Sequence, residues 1–131
     1  MPAHGTAPDE VLDLVTKAGG SWWLAIATNR PAAADTTADL ADIPPLEVPR
    51  NGTEWADASG GVVRHATGVT MPAATAATTA AAWCLFDDEA LTDLRFTRWF
   101  SEDRAVALGD ELPLAAAVLE LEFTPPTYPY L

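Results

Sequence analysis

This chain has little cysteine, little positive charge and no long apolar run. A single cysteine, Cys84, excludes an intrachain disulfide, and its neighbours Trp83 and Leu85 suit a packed small residue better than a reactive thiol. Lys17 and six scattered arginines stand against nineteen acidic residues, for a net charge of −12. That balance excludes nucleic acid as the main partner, because a phosphate backbone is held where Lys and Arg cluster. The apolar run Ala82–Phe86 falls far short of a bilayer span, so no membrane partner is expected. The start, Met1-Pro2-Ala3-His4-Gly5, lacks the basic-then-apolar order of a secretory signal, which leads to the expectation of a soluble chain made in a cytoplasm. No glycine-rich loop opens a helix as a phosphate site needs, and Ser21, Ser59 and Ser101 lack the strand-turn-helix setting of a nucleophile elbow.

What is present is alternation. Ala81–Phe86 reads as an internal strand, Asp87-Asp88-Glu89 as a turn, and Leu94–Phe100 as a returning strand. On the return Leu94 and Phe96 share one face, and Arg95 and Thr97 face water. Ser21–Thr28 reads as a central strand, Trp22, Leu24 and Ile26 on one face and Trp23, Ala25 and Ala27 on the other. Ahead of it, Thr6 caps a helix, Val11, Leu12, Leu14, Val15 and Ala18 recur at helical spacing, and Gly19-Gly20 ends it.

Asn29–Arg50 mixes acidic residues with Pro31, Pro44, Pro45 and Pro49 and reads as a long surface excursion with one helical turn at Thr37–Leu40. Thr53–Trp55 reads as a short strand and Ser59-Gly60-Gly61 as a turn. Val62–Met71 reads as strand interrupted at Gly68, and Ala73–Ala80 as a linking loop. Arg104–Leu108 and Leu112–Phe123 complete the strands; in the last, Ala117, Leu119, Leu121 and Phe123 alternate with Val118, Glu120 and Glu122. The expected architecture is a mostly β, antiparallel β-sandwich-like single domain over residues 1–123, with one short N-terminal helix. An extended Pro/Tyr tail follows over residues 124–131, in polyproline-like form.

The candidate chemistry is sparse. Asp87, Asp88 and Glu89 cluster carboxylates but lack the spaced ligands and glycine of a calcium loop, so a solvated turn is expected and no metal. His65 and Cys84 are base and nucleophile types with no third orienting group placed beside them, so packing is expected and no catalytic residue is assigned. No cofactor is implied. Trp22, Trp83 and Trp99 lie on strands where burial is ordinary, which leaves Trp55 as the candidate for an exposed indole and a ligand contact. Arg95, Arg98 and Arg104 read as a wet strand face or as an intersubunit ion-pair strip.

Taken in order, several segments resemble small virion proteins of tailed bacteriophages of actinobacteria, usually labelled tail fibre or minor tail proteins. They are the helix before Trp22-Trp23-Leu24-Ala25, Glu47-Val48 with Arg50 beyond, Trp55-Ala56-Asp57-Ala58-Ser59-Gly60-Gly61 and Val69-Thr70-Met71-Pro72. Leu85-Phe86-Asp87, Leu94–Trp99, and Leu108-Gly109-Asp110 before Val118-Leu119-Glu120-Leu121 complete the set. The likeness spans residues 10–123; it departs where the family has a glycine-rich turn in place of Asp87-Asp88-Glu89-Ala90, and the Pro/Tyr tail lies outside the pattern. The resemblance implies a non-enzymatic structural protein on the virion surface, assembled in the host cytoplasm. It would be a capsid-decorating subunit or a tail-fibre subunit, with other virion proteins as partners. It also implies a homo-oligomer, a trimer or another small symmetric assembly. Candidate subunit contacts are Pro44, Pro45 and Leu46 in the loop and Pro125, Pro126, Tyr128, Tyr130 and Leu131 in the tail. The alternative is a host-receptor or glycan-binding module using Trp55.

Overall fold

The structure, a computed structural model, describes residues 7–32 and 34–122. In chain order its elements are α1 (Ala7–Thr16), β1 (Ser21–Ala27), β2 (Leu46–Pro49), β3 (Val62–Arg64), β4 (Val69–Thr70), β5 (Thr78–Phe86), β6 (Leu94–Val106), β7 (Pro113–Leu114) and β8 (Glu120–Glu122). Among the described residues all strand pairs are antiparallel, and the fold is mostly antiparallel β with one short helix, as its alternation predicts. The chain divides into two compact units: one from Gly20–Pro49 and Val69–Leu114, the other from the segments before Gly20, from Arg50 to Gly68 and from Ala115 onward.

The first of these holds a four-stranded sheet in the order β2-β1-β5-β6. Both inner strands are apolar on both faces, which is why they are inner. Trp22, Leu24, Ile26, Trp83 and Leu85 are buried on one face, and Ala25, Ala27, Ala82, Cys84 and Phe86 on the other. Each large side chain so buried contributes about 1.5–3 kcal/mol. The small-residue face forms a cluster with Leu94, against which Trp23, Ala38 and Leu91 pack. The prolines of the long excursion sit where a sheet tolerates them: its end becomes the edge strand β2, carrying Pro49 opposite Ser21. Its expected helical turn is absent; Leu40 instead bridges Ala27.

Two irregularities reshape the central hairpin. Phe86 pairs with Leu94 while Leu85 pairs with Phe96, so one extra residue lies on β6 and the alternation shifts. Leu94 therefore joins the Phe86 cluster, whereas Phe96 meets the Trp22 ring edge-on at 5.4 Å. They do not share a face as the simple period predicts. Further along, β6 advances from Trp99 to Arg104 while β5 advances only from Ala82 to Ala80. Past this bulge β6 continues to Val106 as one strand, and Thr78–Ala80, read as loop, supplies its partner. A two-stranded sheet of β4 and β7 also belongs to this unit.

In the other unit β3 pairs with β8, and α1 is tied down by its own polar residues. Asp9 accepts the backbone N–H of Gly61 at 2.6 Å and of Gly60 at 3.2 Å, and Asp13 accepts that of Ala58 at 2.9 Å. Lys17 closes on Asp13 at 2.6 Å and on Asp57 at 3.2 Å. Arg50 donates through Nε and Nη2 to the Val15 carbonyl, which satisfies one of the acceptors a helix leaves open at its C-terminus. The buried stripe is Leu12 and Thr16; Val11, Leu14 and Ala18, counted in the apolar stripe by spacing, face outward. Thr6 lies outside the described residues.

The segment read as one final strand is two. Ala115–Val118 turns back on itself, with Ala115 O accepting N–H bonds from Val118 and Leu119, and separates β7 from β8. Gly68, with φ of +77°, likewise separates β3 from β4. Thr53 and Glu54 lie in a turn, and Trp55 makes a single bridge to His65.

Candidate functional site

Of the side chains the sequence singles out, His65, Cys84 and Asp88 are engaged within the fold. His65 is buried; its Nδ1 accepts the N–H of Gly68 at 3.1 Å and of Thr67 at 3.4 Å, and its Nε2 lies 2.9 Å from Glu54 Oε2. Two donors at Nδ1 leave the ring proton on Nε2, aimed at the carboxylate. Cys84 lies 3.5 Å from the Thr97 hydroxyl, which itself donates to the Trp83 carbonyl at 3.1 Å. The thiol therefore donates its own proton to Thr97, and burial pushes its pKa up, away from the thiolate. Asp88 accepts the backbone N–H of Thr92 at 2.9 Å and of Asp93 at 3.0 Å, and also the Thr92 hydroxyl. The acidic turn is thus a capped turn, and no group of three or more His, Cys, Asp or Glu that could hold a metal ion occurs among the described residues.

Trp55 corrects an expectation. It is 1% exposed, edge-on to the His65 ring at 5.4 Å, and cannot stack on a ligand from solution. The exposed indole is Trp99, at 55%. It stands opposite Ala82 on the sheet face that carries Cys84 and Thr97.

Trp99 forms one wall of a cleft of about 540 Å³ between β6, from Leu94 to Trp99, and the loop residues Pro31, Ala32 and Asp35. No protein-family model matches this chain, and no curated protein does. Three links hold the loop against the edge strand. The Trp99 indole N–H donates to the Pro31 carbonyl at 3.0 Å, Leu94 N–H donates to the Thr36 carbonyl at 3.0 Å, and Arg30 pairs with Asp103 at 2.6 Å. Arg30 also reaches the Phe100 carbonyl at 3.4 Å, while Arg104 lies over the Phe100 ring, 5.3 Å from its centroid. Within the loop, Asp35 accepts the Ala32 N–H at 2.7 Å and returns its own N–H to the Ala32 carbonyl at 3.0 Å. The lining offers the indole of Trp99 on a sheet edge, suited to stacking; Arg95 is held by Asp93 at 2.8 Å and Asp35 by the Ala32 N–H, so these two rim charges are already engaged.

Of the expected contacts, Pro44 is exposed, and Pro45 and Leu46 are half-buried at the start of the edge strand β2. Pro125, Pro126, Tyr128, Tyr130 and Leu131 lie outside the described residues. Pro44, Pro45 and Leu46 do not line the cleft, which is formed by Pro31, Ala32 and Asp35 and by β6 from Leu94 to Trp99. One signal in the sequence pointed there. Trp99 stands two residues beyond Thr97, on the side of the strand read as facing water, and the aromatic character of the position outweighed its parity.

Proposed function

We propose that this chain is a non-enzymatic structural subunit on the surface of a tailed-bacteriophage particle, joined to other virion proteins and to further copies of itself. The observation that carries the reading is Trp99: a half-exposed indole on the edge strand of the main sheet, immobilised through its N–H on Pro31. Large aromatic side chains held rigid at a surface are the residues that dominate subunit contacts, because little side-chain freedom is lost on burial. The resemblance over residues 10–123 supplies the particle, and the internal bonding of His65, Cys84 and Asp88 leaves these groups serving the scaffold. Two placements compete, decoration of the capsid shell and a tail-fibre or tail-tip module.

Immunogold electron microscopy of intact particles, with antibody raised against this chain, tests the reading. Gold over the shell supports decoration, and gold confined to the tail supports the fibre module. Bare particles from a lysate that contains the chain would overturn the proposal.

A further inference from the structure

The cleft beside Trp99 has a definite partner in the chain's own chemistry. We infer that it seats the segment Thr124–Leu131 of a second copy. This rests on the assembly reading above and adds to it the contact itself. Four observations converge. The cleft, at about 540 Å³, lies within the roughly 300–1,000 Å³ of clefts that bury drug-sized ligands, a volume of the same order as a few side chains. Its aromatic wall is already fixed, since the Trp99 N–H is committed to Pro31 and the loop behind it is cross-linked by Asp35 and Arg30. The segment Thr124-Pro125-Pro126-Thr127-Tyr128-Pro129-Tyr130-Leu131 has the composition of a polyproline-type ligand. In that conformation, with three residues per turn, Pro126 and Pro129 fall on one edge and Pro125 and Tyr128 on another. Such segments bind grooves walled by aromatic rings, because they enter with little conformational entropy left to lose.

Charge is the fourth. Two copies each carrying −12 repel one another, so a self-contact has to join stretches that do not add to the repulsion. The segment carries no charged side chain, so seating it in the cleft of another copy adds no like charge to the contact. A segment of one copy in the cleft of the next is a heterologous contact, which closes into a ring when the rotation between copies permits. A trimer formed in this way is one such ring.

Sedimentation of the full-length chain over a range of concentrations tests this without reference to any particle. The native chain should self-associate. Trp99→Ala should weaken association by about tenfold or more, as loss of a central aromatic anchor does. A variant with Pro125, Pro126 and Pro129 all changed to Ala should weaken it comparably while leaving the described fold untouched. Mixing the two variants should form heterodimers, because one retains the cleft and the other the segment. A native chain that stays monomeric would overturn the inference, as would a proline variant that associates like the native chain, or a mixture that shows no complementation. None of those results would bear on whether the chain resides on particles, which the gold labelling decides separately.

Discussion

The Nδ1 atom of His65 accepts the backbone N–H of Gly68 from 3.1 Å, across the turn that ends β3. With Thr67 N–H also directed at Nδ1 and Glu54 at Nε2, the ring acts as a buried three-way strut under Trp55. Long-range nitrogen–proton NMR at neutral pH is expected to show the Nε2-protonated tautomer. Replacement His65→Ala leaves a cavity and strips the half-buried Gly68 N–H of its acceptor, and should cost about 2–4 kcal/mol in denaturant unfolding. His65→Asn, whose side-chain oxygen can replace Nδ1 as acceptor, should recover part of that loss. Equal losses for Ala and Asn would show that the Gly68 bond contributes nothing.

Acid should weaken the fold through two carboxylates. The Lys17 ammonium, with help from the Ala58 N–H, holds Asp13 below its ordinary value of 3.8. The Thr92 hydroxyl does the same for Asp88, with backbone N–H groups adding to it. Because the folded pKa of each is lower than the unfolded one, the unfolded chain takes up protons first as pH falls. The stabilisation is therefore complete above the unfolded value and is lost as pH drops through the folded one. Urea unfolding between about pH 6 and about pH 2.5 should show a shallower acid decline for Asp13→Asn and Asp88→Asn than for the native chain, with the curves converging at the acid end. Parallel curves would mean that neither group is coupled to folding.

Leu91 has φ of +59°, in the left-handed region that a branched side chain enters at a cost. It is held there because its side chain packs on the cluster formed by Phe86 and Leu94, while its N–H donates to Asp88 O at 3.1 Å. Packing and backbone strain can be separated by two variants. Leu91→Ala loses the packing and keeps the strain, whereas Leu91→Gly loses the packing and relieves the strain. The glycine variant should therefore be the more stable of the two by about 1 kcal/mol. If alanine proves the more stable, the turn is not strained.

Cys84 should be silent toward thiol reagents in the native state. It is fully buried between β1 and β6, bonded to Thr97, with its thiolate disfavoured by burial. Labelling by a disulfide reagent should proceed only at the rate of unfolding and accelerate with denaturant. Cys84→Leu should destabilise by about 1–3 kcal/mol, since Ala25 and Thr97 stand opposite it and leave no room. Rapid labelling of native protein would contradict the packing described here.

The strands of the main sheet were legible because their faces are nearly pure. Trp22, Leu24 and Ile26 against Trp23, Ala25 and Ala27 admit only an inner strand, and the structure places β1 between β2 and β5. The extent of β5 was less legible. Thr78 and Thr79 favour strand, but they follow an alanine-rich stretch, and the pairing with Arg104–Val106 is what fixes them there. The final alternation from Ala117 to Leu121 was read one strand too long, because a turn at Ala115–Val118 costs an alanine-rich stretch almost nothing. Burial of the tryptophans was the hardest to read: Trp55 in a loop is 1% exposed and Trp99 in a strand is 55% exposed.

By itself, then, the sequence determined the β class, a helix ahead of β1 stopped by Gly19-Gly20, the inner position of β1 and β5, and the exclusion of an intrachain disulfide. These follow from local periodicity, backbone freedom and counting, which need no partner from elsewhere in the chain. Tertiary structure alone decided the shift of register at Leu85–Phe86, the bulge after Trp99, the burial of Trp55 against the His65 ring and the cleft between Pro31 and Trp99. Each depends on residues far apart in sequence meeting in space, as when the carbonyl of Pro31 takes the indole proton of Trp99. No local pattern encodes such a meeting, because the free energy that selects it belongs to the packed state.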